Sequence, residues 1–145
     1  MIHKKIILGP TGQNKTQTIE APMAQTLLPG QLAKMAAGKL QHVLQGDKGG
    51  LYVLTNNSLF GGTVIDPIVE GDNGVGVFME PDVDYAVLLK SATGGEFPAG
   101  TICRPGAFDG IVQPSSSPGE YDSLVTREDV VLSPGVAVLV AMRTL

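Results

Sequence analysis

Leu28-Pro29-Gly30-Gln31-Leu32-Ala33-Lys34-Met35 sets a Pro-Gly corner between an apolar residue and a segment suited to a strand. In a type II turn the proline fixes φ at the first central position and the glycine accepts positive φ at the second. The corner therefore reverses the chain and launches an extended segment. The device recurs in Phe97-Pro98-Ala99-Gly100-Thr101-Ile102-Cys103 and in Leu132-Ser133-Pro134-Gly135-Val136-Ala137-Val138-Leu139, with a looser copy in Phe60-Gly61-Gly62-Thr63-Val64-Ile65. A chain that turns this often builds short strands in place of long helices.

Between the corners, Leu51-Tyr52-Val53-Leu54, Val75-Gly76-Val77-Phe78-Met79, Tyr85-Ala86-Val87-Leu88-Leu89 and Val136 to Met142 read as strands. They are separated by Asn56-Asn57, Gly71-Asp72-Asn73-Gly74, Thr93-Gly94-Gly95 and Pro114-Ser115-Ser116-Ser117-Pro118-Gly119, all of which carry turn chemistry. Gln31 to Leu40 has an alternative reading as one or two helical turns, against which Pro29-Gly30 and the internal Gly38 both weigh. Only Gly135 to Leu145 is apolar on both faces, as in a central strand buried from both sides. The fold class is all-β, a small β-barrel or β-sandwich. A chain of 145 residues fits one domain that hides about 70% of its unfolded surface, so it needs neither metals nor disulfides. Residues 1–22, broken by Gly9-Pro10 and Pro22, read as an extended N-terminal arm able to pair with a partner's sheet edge, and residues 23–145 as a single β domain.

The parts of an active site do not assemble in this sequence. Cys103 is the sole cysteine and reads as a small buried strand residue. His3 and His42 are far apart, and no Gly-x-Ser-x-Gly elbow accompanies them. Gly9-Pro10-Thr11-Gly12-Gln13-Asn14-Lys15-Thr16 approaches a phosphate-binding loop, but Asn14 stands where the second glycine must be and Pro22 follows too soon for a helix. Asp82-Val83-Asp84, with Asp66 and Asp72, lacks any calcium-loop spacing and reads as turn chemistry. Arg104, Arg127 and Arg143 are isolated and read as surface charge. The chain is expected to be no enzyme, with no cofactor and no metal. A net charge of −4 and the lack of tryptophan argue against a nucleic-acid partner. The apolar run Ile6-Ile7-Leu8 is far too short for a membrane span or a secretory segment, so the expectation is synthesis in a cytoplasm and no membrane partner. Charge is segregated: no acidic residue precedes Glu20, and no Lys or Arg lies between Lys48 and Lys90, where six carboxylates occur, Asp66, Glu70, Asp72, Glu80, Asp82 and Asp84. Such regions of opposite sign can orient subunits in an assembly.

Leu27-Leu28-Pro29-Gly30-Gln31-Leu32, then Leu51 to Leu54, then Leu59-Phe60-Gly61-Gly62-Thr63-Val64-Ile65-Asp66-Pro67-Ile68 and Glu70-Gly71-Asp72, form an order that resembles the head decoration (capsid cement) proteins of tailed bacteriophages. Pro81 to Lys90, Phe97 to Ile102 and Asp109-Gly110-Ile111-Val112 are similar to that family's later progression through a Gly-Thr turn to an Asp-Gly hairpin. The similarity runs from Leu27 to Val112 and departs at the basic arm and at Pro114 to Gly119. It implies a virion protein on the outer capsid surface, commonly a homotrimer, that bridges major capsid protein subunits after shell expansion. On that reading the contact surface is expected in the arm, at Ile6, Ile7, Leu8, Lys15 and Ile19, and in loops at Asn56, Asn57, Asp72 and Asn73. The rival readings are another phage structural part, a tail-tube or head-completion protein, and a small-ligand-binding β-barrel.

Overall fold

The computed structural model describes residues 3–9, 17–44, 51–56, 62–108, 110–115 and 123–145. Its strands in chain order are β1 (Ile7–Gly9), β2 (Thr18–Pro22), β3 (Leu32–Ala36), β4 (Lys39–His42), β5 (Tyr52–Leu54), β6 (Asn73–Phe78) and β7 (Asp84–Leu89). They continue with β8 (Gly95–Phe97), β9 (Ile102–Phe108), β10 (Ile111–Pro114), β11 (Leu124–Thr126), β12 (Val130–Leu132) and β13 (Val138–Thr144). The fold is all-β. Each Pro/Gly corner precedes a strand as read from the sequence: Gly30, Gly100 and Gly135 all have positive φ, and β3, β9 and β13 follow them.

In the first sheet β7, β10, β9, β11 and β13 are hydrogen-bonded in that order, and β13 pairs back onto β7, so the five strands close a circuit. β1 joins the same edge of β7 as β10 does, taking Asp84 and Tyr85 and leaving Leu89 to β10. Strands pointing inward contribute Tyr85 opposite Met142, Val87 opposite Val140 and Leu89 opposite Val138, joined by Cys103, Val112 and Leu124 in one cluster. The second sheet runs β2-β6-β5-β3-β4, and a bridge from Met23 to Leu40 draws its two ends together. A ribbon of β8 and β12 stands apart.

Alternation along the second sheet divides its side chains between two clusters. Leu32, Val53 and Val77 join the first sheet's core, while Ala33 and Leu54, one residue on, join a separate cluster with Ala21, Met23, Leu27, Leu40 and Ile68. That is the period-two geometry of a strand buried on both faces. The two sheets thus share a core in the manner of a sandwich, though the first is also closed on itself.

One alternative falls away and two expectations need revision. Gln31 to Leu40 forms no helical turn: Ala37 and Gly38 both take positive φ (52° and 78°), the geometry of a type I′ corner, and join β3 to β4 as a hairpin. The Thr63-Val64-Ile65 segment is a turn, not a strand, for a reason given below. The segment read as an arm supplies β1 and β2, which pair within the same chain, and its Ile6 is 2% exposed in the main core, so that side chain is not available to a partner. Ile6 is drawn in because its carbonyl accepts from the Ala86 N–H at 2.7 Å, which extends the β1 ladder along β7.

Two hairpin glycines separate turn strain from crowding. At Gly110, φ is 86° and an added Cβ would lie 2.6 Å from the Leu32 carbonyl oxygen, which is backbone and cannot swing away. At Gly38, φ is 78° with open space around it. Gly110→Ala is expected to cost about 2–4 kcal/mol and Gly38→Ala about 1 kcal/mol, read from urea midpoints at constant slope. Equal losses at the two sites would contradict the close approach of the Gly110 hairpin to β3.

Candidate docking surface

The outward side of β7 and β13 is apolar along most of its length and ends at the Asp84–Arg143 ion pair. Leu88 stands opposite Leu139 and Ala86 opposite Ala141. Leu28-Pro29-Gly30 crosses this face, with the Gly30 carbonyl accepting from Leu88 N–H and the Gly30 N–H donating to the Leu54 carbonyl, each at 2.9 Å. A side chain at Gly30 would collide with Leu139 Cδ2, so only glycine lets the corner lie this close. The buried Gln31 side chain fixes the corner from behind, its Oε1 accepting from the Leu28 N–H.

A second wall comes from the turn at Thr63 to Asp66. Asp66 Oδ2 accepts from the Thr63 N–H at 2.8 Å and from its hydroxyl at 2.9 Å, and Asp66 N–H donates back to the Thr63 carbonyl at 3.1 Å. Such side-chain capture of a backbone donor competes with strand pairing, which is why Val64 and Ile65 form a corner. The Thr63 backbone bond, with its hydroxyl second, holds the Asp66 carboxyl below its ordinary value. Reciprocal bonds between Leu27 and Ile68, at 3.1 and 2.7 Å, tie this wall to the Pro29 corner. His3 and Lys4 close the end, with His3 Nε2 2.8 Å from Glu128 Oε2.

These walls enclose a groove of about 600 Å³, lined by Leu28, Pro29, Val64, Ile65, Leu88 and Leu139 among others. Ile65 is 78% exposed on its lip. Among the described residues the polar side chains on its lining are His3, Lys4 and Thr63, and two of these are already engaged, His3 with Glu128 and Thr63 with Asp66. Such a lining suits apolar contact and offers no nucleophile beside a base. Among the described residues no three His, Cys, Asp or Glu side chains converge where a metal could sit.

The residues expected at a contact surface are scattered. Ile7 and Leu8 are half-buried against the main core, and Ile19 packs against the second cluster. Asn56 is half-buried and its Nδ2 donates to the Gly62 carbonyl at 2.9 Å, which ties the residue after β5 to the start of the groove wall. Asp72 and Asn73 are exposed where β6 begins. Lys15 and Asn57, and with Lys15 most of the loop that approaches a phosphate-binding pattern, lie outside the described residues. Cys103 is fully buried in β9. The aspartates considered for a cation serve separate ends: Asp66 its turn, Asp82 an exposed corner at φ 63°, and Asp84 an ion pair to Arg143 Nε at 2.7 Å with Arg127 Nε at 3.5 Å. Sequence reading missed that last triad because 59 positions separate Asp84 from Arg143.

No protein-family model matches the chain. No curated protein matches it either. Among solved structures it is similar to the N base of the head fiber gp8.5 of bacteriophage phi29, with a TM-score of 0.55 and 13% sequence identity over 90% of this chain and 98% of that one. A likeness at that identity establishes a shared fold.

Because the Asp66 pKa is depressed, the charged turn is favoured above the ordinary carboxylate value and is lost as pH falls through the lower, folded value. In a proton NMR titration the Thr63 amide should therefore follow Asp66 with a midpoint below that of an unstructured aspartate. Asp66→Asn should abolish that titration. A Thr63 amide indifferent to acid would contradict the capture that shapes the groove wall.

Proposed function

We propose that this chain is a structural protein of a bacteriophage head, which docks on the outer surface of the shell through the groove over β7 and β13 and stabilises contacts between major capsid protein subunits. The observation that carries the reading is the extent of the fold likeness. It covers nearly the whole of both chains, and the neighbour is a phage head component. The sequence order quoted above, which resembles the head decoration proteins, supports the same assignment by an independent route. The groove supplies a means: Ile65 is a large apolar side chain beside a hollow, with Lys4 at its edge, the pattern of an apolar anchor within a polar rim.

A protein that binds the assembled shell and not its free subunits stabilises the assembly by mass action. No chemical step is needed, and a repeating lattice multiplies weak contacts when the protein binds as a preformed oligomer such as a trimer. A second reading has the phi29 likeness behind it. As a fibre base, the chain would anchor a projecting element to the head without strengthening the shell. The two differ in consequence, since a cement raises the temperature at which filled heads release DNA and a fibre base leaves it unchanged.

The test uses heads of the phage that encodes the chain, purified without it, and measures co-sedimentation of added protein. Saturable binding is expected, with release of DNA shifted to higher temperature. Ile65→Asp should weaken binding by about 10–100-fold, or about 1.4–2.7 kcal/mol, because it puts a charge at the centre of an apolar contact. Its urea midpoint should stay within about 0.5 kcal/mol of the parent, since the side chain is exposed in the free protein. Absence of binding to heads would overturn the assignment, and undiminished binding by Ile65→Asp would remove the groove from it.

A further inference from the structure

We infer that a second site, lined by Arg104, binds a carboxylate. Arg104 lies on β9, in register with Gln113 of β10. With Gln113, Ser91, Thr93, Phe97 and Ser115 it lines a separate pocket of about 340 Å³. Its Nε is shielded from solvent and donates to no acceptor among the described residues. A buried donor without an acceptor is costly.

The other two arginines of the first sheet's neighbourhood show what the group ordinarily takes. Arg143 and Arg127 both direct Nε at the carboxylate of Asp84. Among the described residues Arg104 has no such partner, and no described acidic side chain lines its pocket. The described lining therefore carries one positive charge and no negative one. Ser91 Oγ and Thr93 Oγ1, 3.5 Å apart, add hydroxyl donors at the rim, and Phe97 provides an apolar wall.

That combination selects the ligand. The flat guanidinium fork matches the two oxygens of a carboxylate, and a single positive charge balances a monoanion better than a phosphate dianion. An aromatic wall favours a carboxylate carried on a short aliphatic stem. Such a group is found in a free short-chain acid and in a glutamate side chain of a partner protein, and the pocket volume accommodates either. The inference does not depend on what the groove does and stands apart from the head assignment.

The experiment follows arginine Nε–H signals by ¹⁵N-resolved NMR in the full chain during titration with butyrate, with an end-capped Ala-Glu-Ala tripeptide, and with butyramide as the uncharged control. The Arg104 Nε–H, which senses ligand held by the rest of its guanidinium, is expected to shift and saturate with at least one carboxylate, half-complete at roughly 1–10 mM, while Arg127 and Arg143 stay in place. Tighter binding of the tripeptide identifies an acidic side chain as the source, and tighter binding of butyrate a free acid. Arg104→Gln should abolish the accompanying shifts of the Ser91 and Thr93 amides; should that variant fail to fold, the titration of the native Nε–H decides alone. No saturable shift by about 100 mM carboxylate, an equal response to butyramide, or persistence of the Ser91 and Thr93 shifts in a folded Arg104→Gln would each overturn the site.

Discussion

Five consecutive register pairs between β7 and β13 hold the rest of the structure in place. Antiparallel pairing sends alternate residues to opposite faces, and here both faces are apolar. Tyr85, Val87 and Leu89 meet Met142, Val140 and Val138 inside, while Ala86 and Leu88 meet Ala141 and Leu139 outside. A slip of β7 by one residue would exchange its two sets, bringing Leu88 inward and turning Val87 out. Each fully buried side chain of this size contributes roughly 1.5–3 kcal/mol, so the register is fixed by several such terms at once. Closing the circuit through β10, β9 and β11 also gives β13 and β11 partners on both sides, which limits the free edges along which strand-built proteins aggregate.

The same pair supplies the floor of the groove. A surface built on two central strands is held by the core beneath it, and a rigid surface loses little freedom on binding. The walls are fixed by different means. The Pro29-Gly30 corner is held by backbone bonds to Leu88 and Leu54, and the Ile65 corner by the Asp66 carboxylate. Tyr85 makes a comparable link from the inside, accepting from the Glu80 N–H at 3.0 Å and donating to the Phe78 carbonyl at 3.3 Å. It thereby fastens the connection from β6 to β7. Burial raises the Tyr85 pKa, consistent with a phenol that keeps its proton to serve this bond.

Much of the fold was legible because the chain states its corners locally. Pro29-Gly30, Pro98-Ala99-Gly100 and Pro134-Gly135 each announce a strand, and Tyr52 to Leu54 and Tyr85 to Leu89 carry the apolar content of buried ones. β4 was hidden because Lys39-Leu40-Gln41-His42 buries only Leu40 fully and follows a corner in which Ala37, a residue that ordinarily avoids positive φ, takes it. β8 was hidden because its first residue, Gly95, belongs by composition to the preceding turn. The candidate surface was not legible at all. Leu28, Ile65, Leu88 and Leu139 are separated by long intervals, and each looks like an ordinary strand or corner residue until the register of β7 and β13 brings them together. The arm illustrates the same limit, since a short apolar run such as Ile6-Ile7-Leu8 carries no sign of whether the edge it joins belongs to its own chain or to another.

A strand pair that is apolar on both sides gives a stable core on one face and, on the other, the floor of an apolar groove. On the proposed function, this second face turns toward a phage shell, which electron microscopy of heads decorated with the protein, at a resolution that orients the chain, would reveal. Leu28, Ile65 and Leu139 are expected at the protein-shell boundary, with density from a capsid subunit filling the groove. A decorated head in which that groove opens to solvent, with another face of the chain seated on the shell, would contradict it.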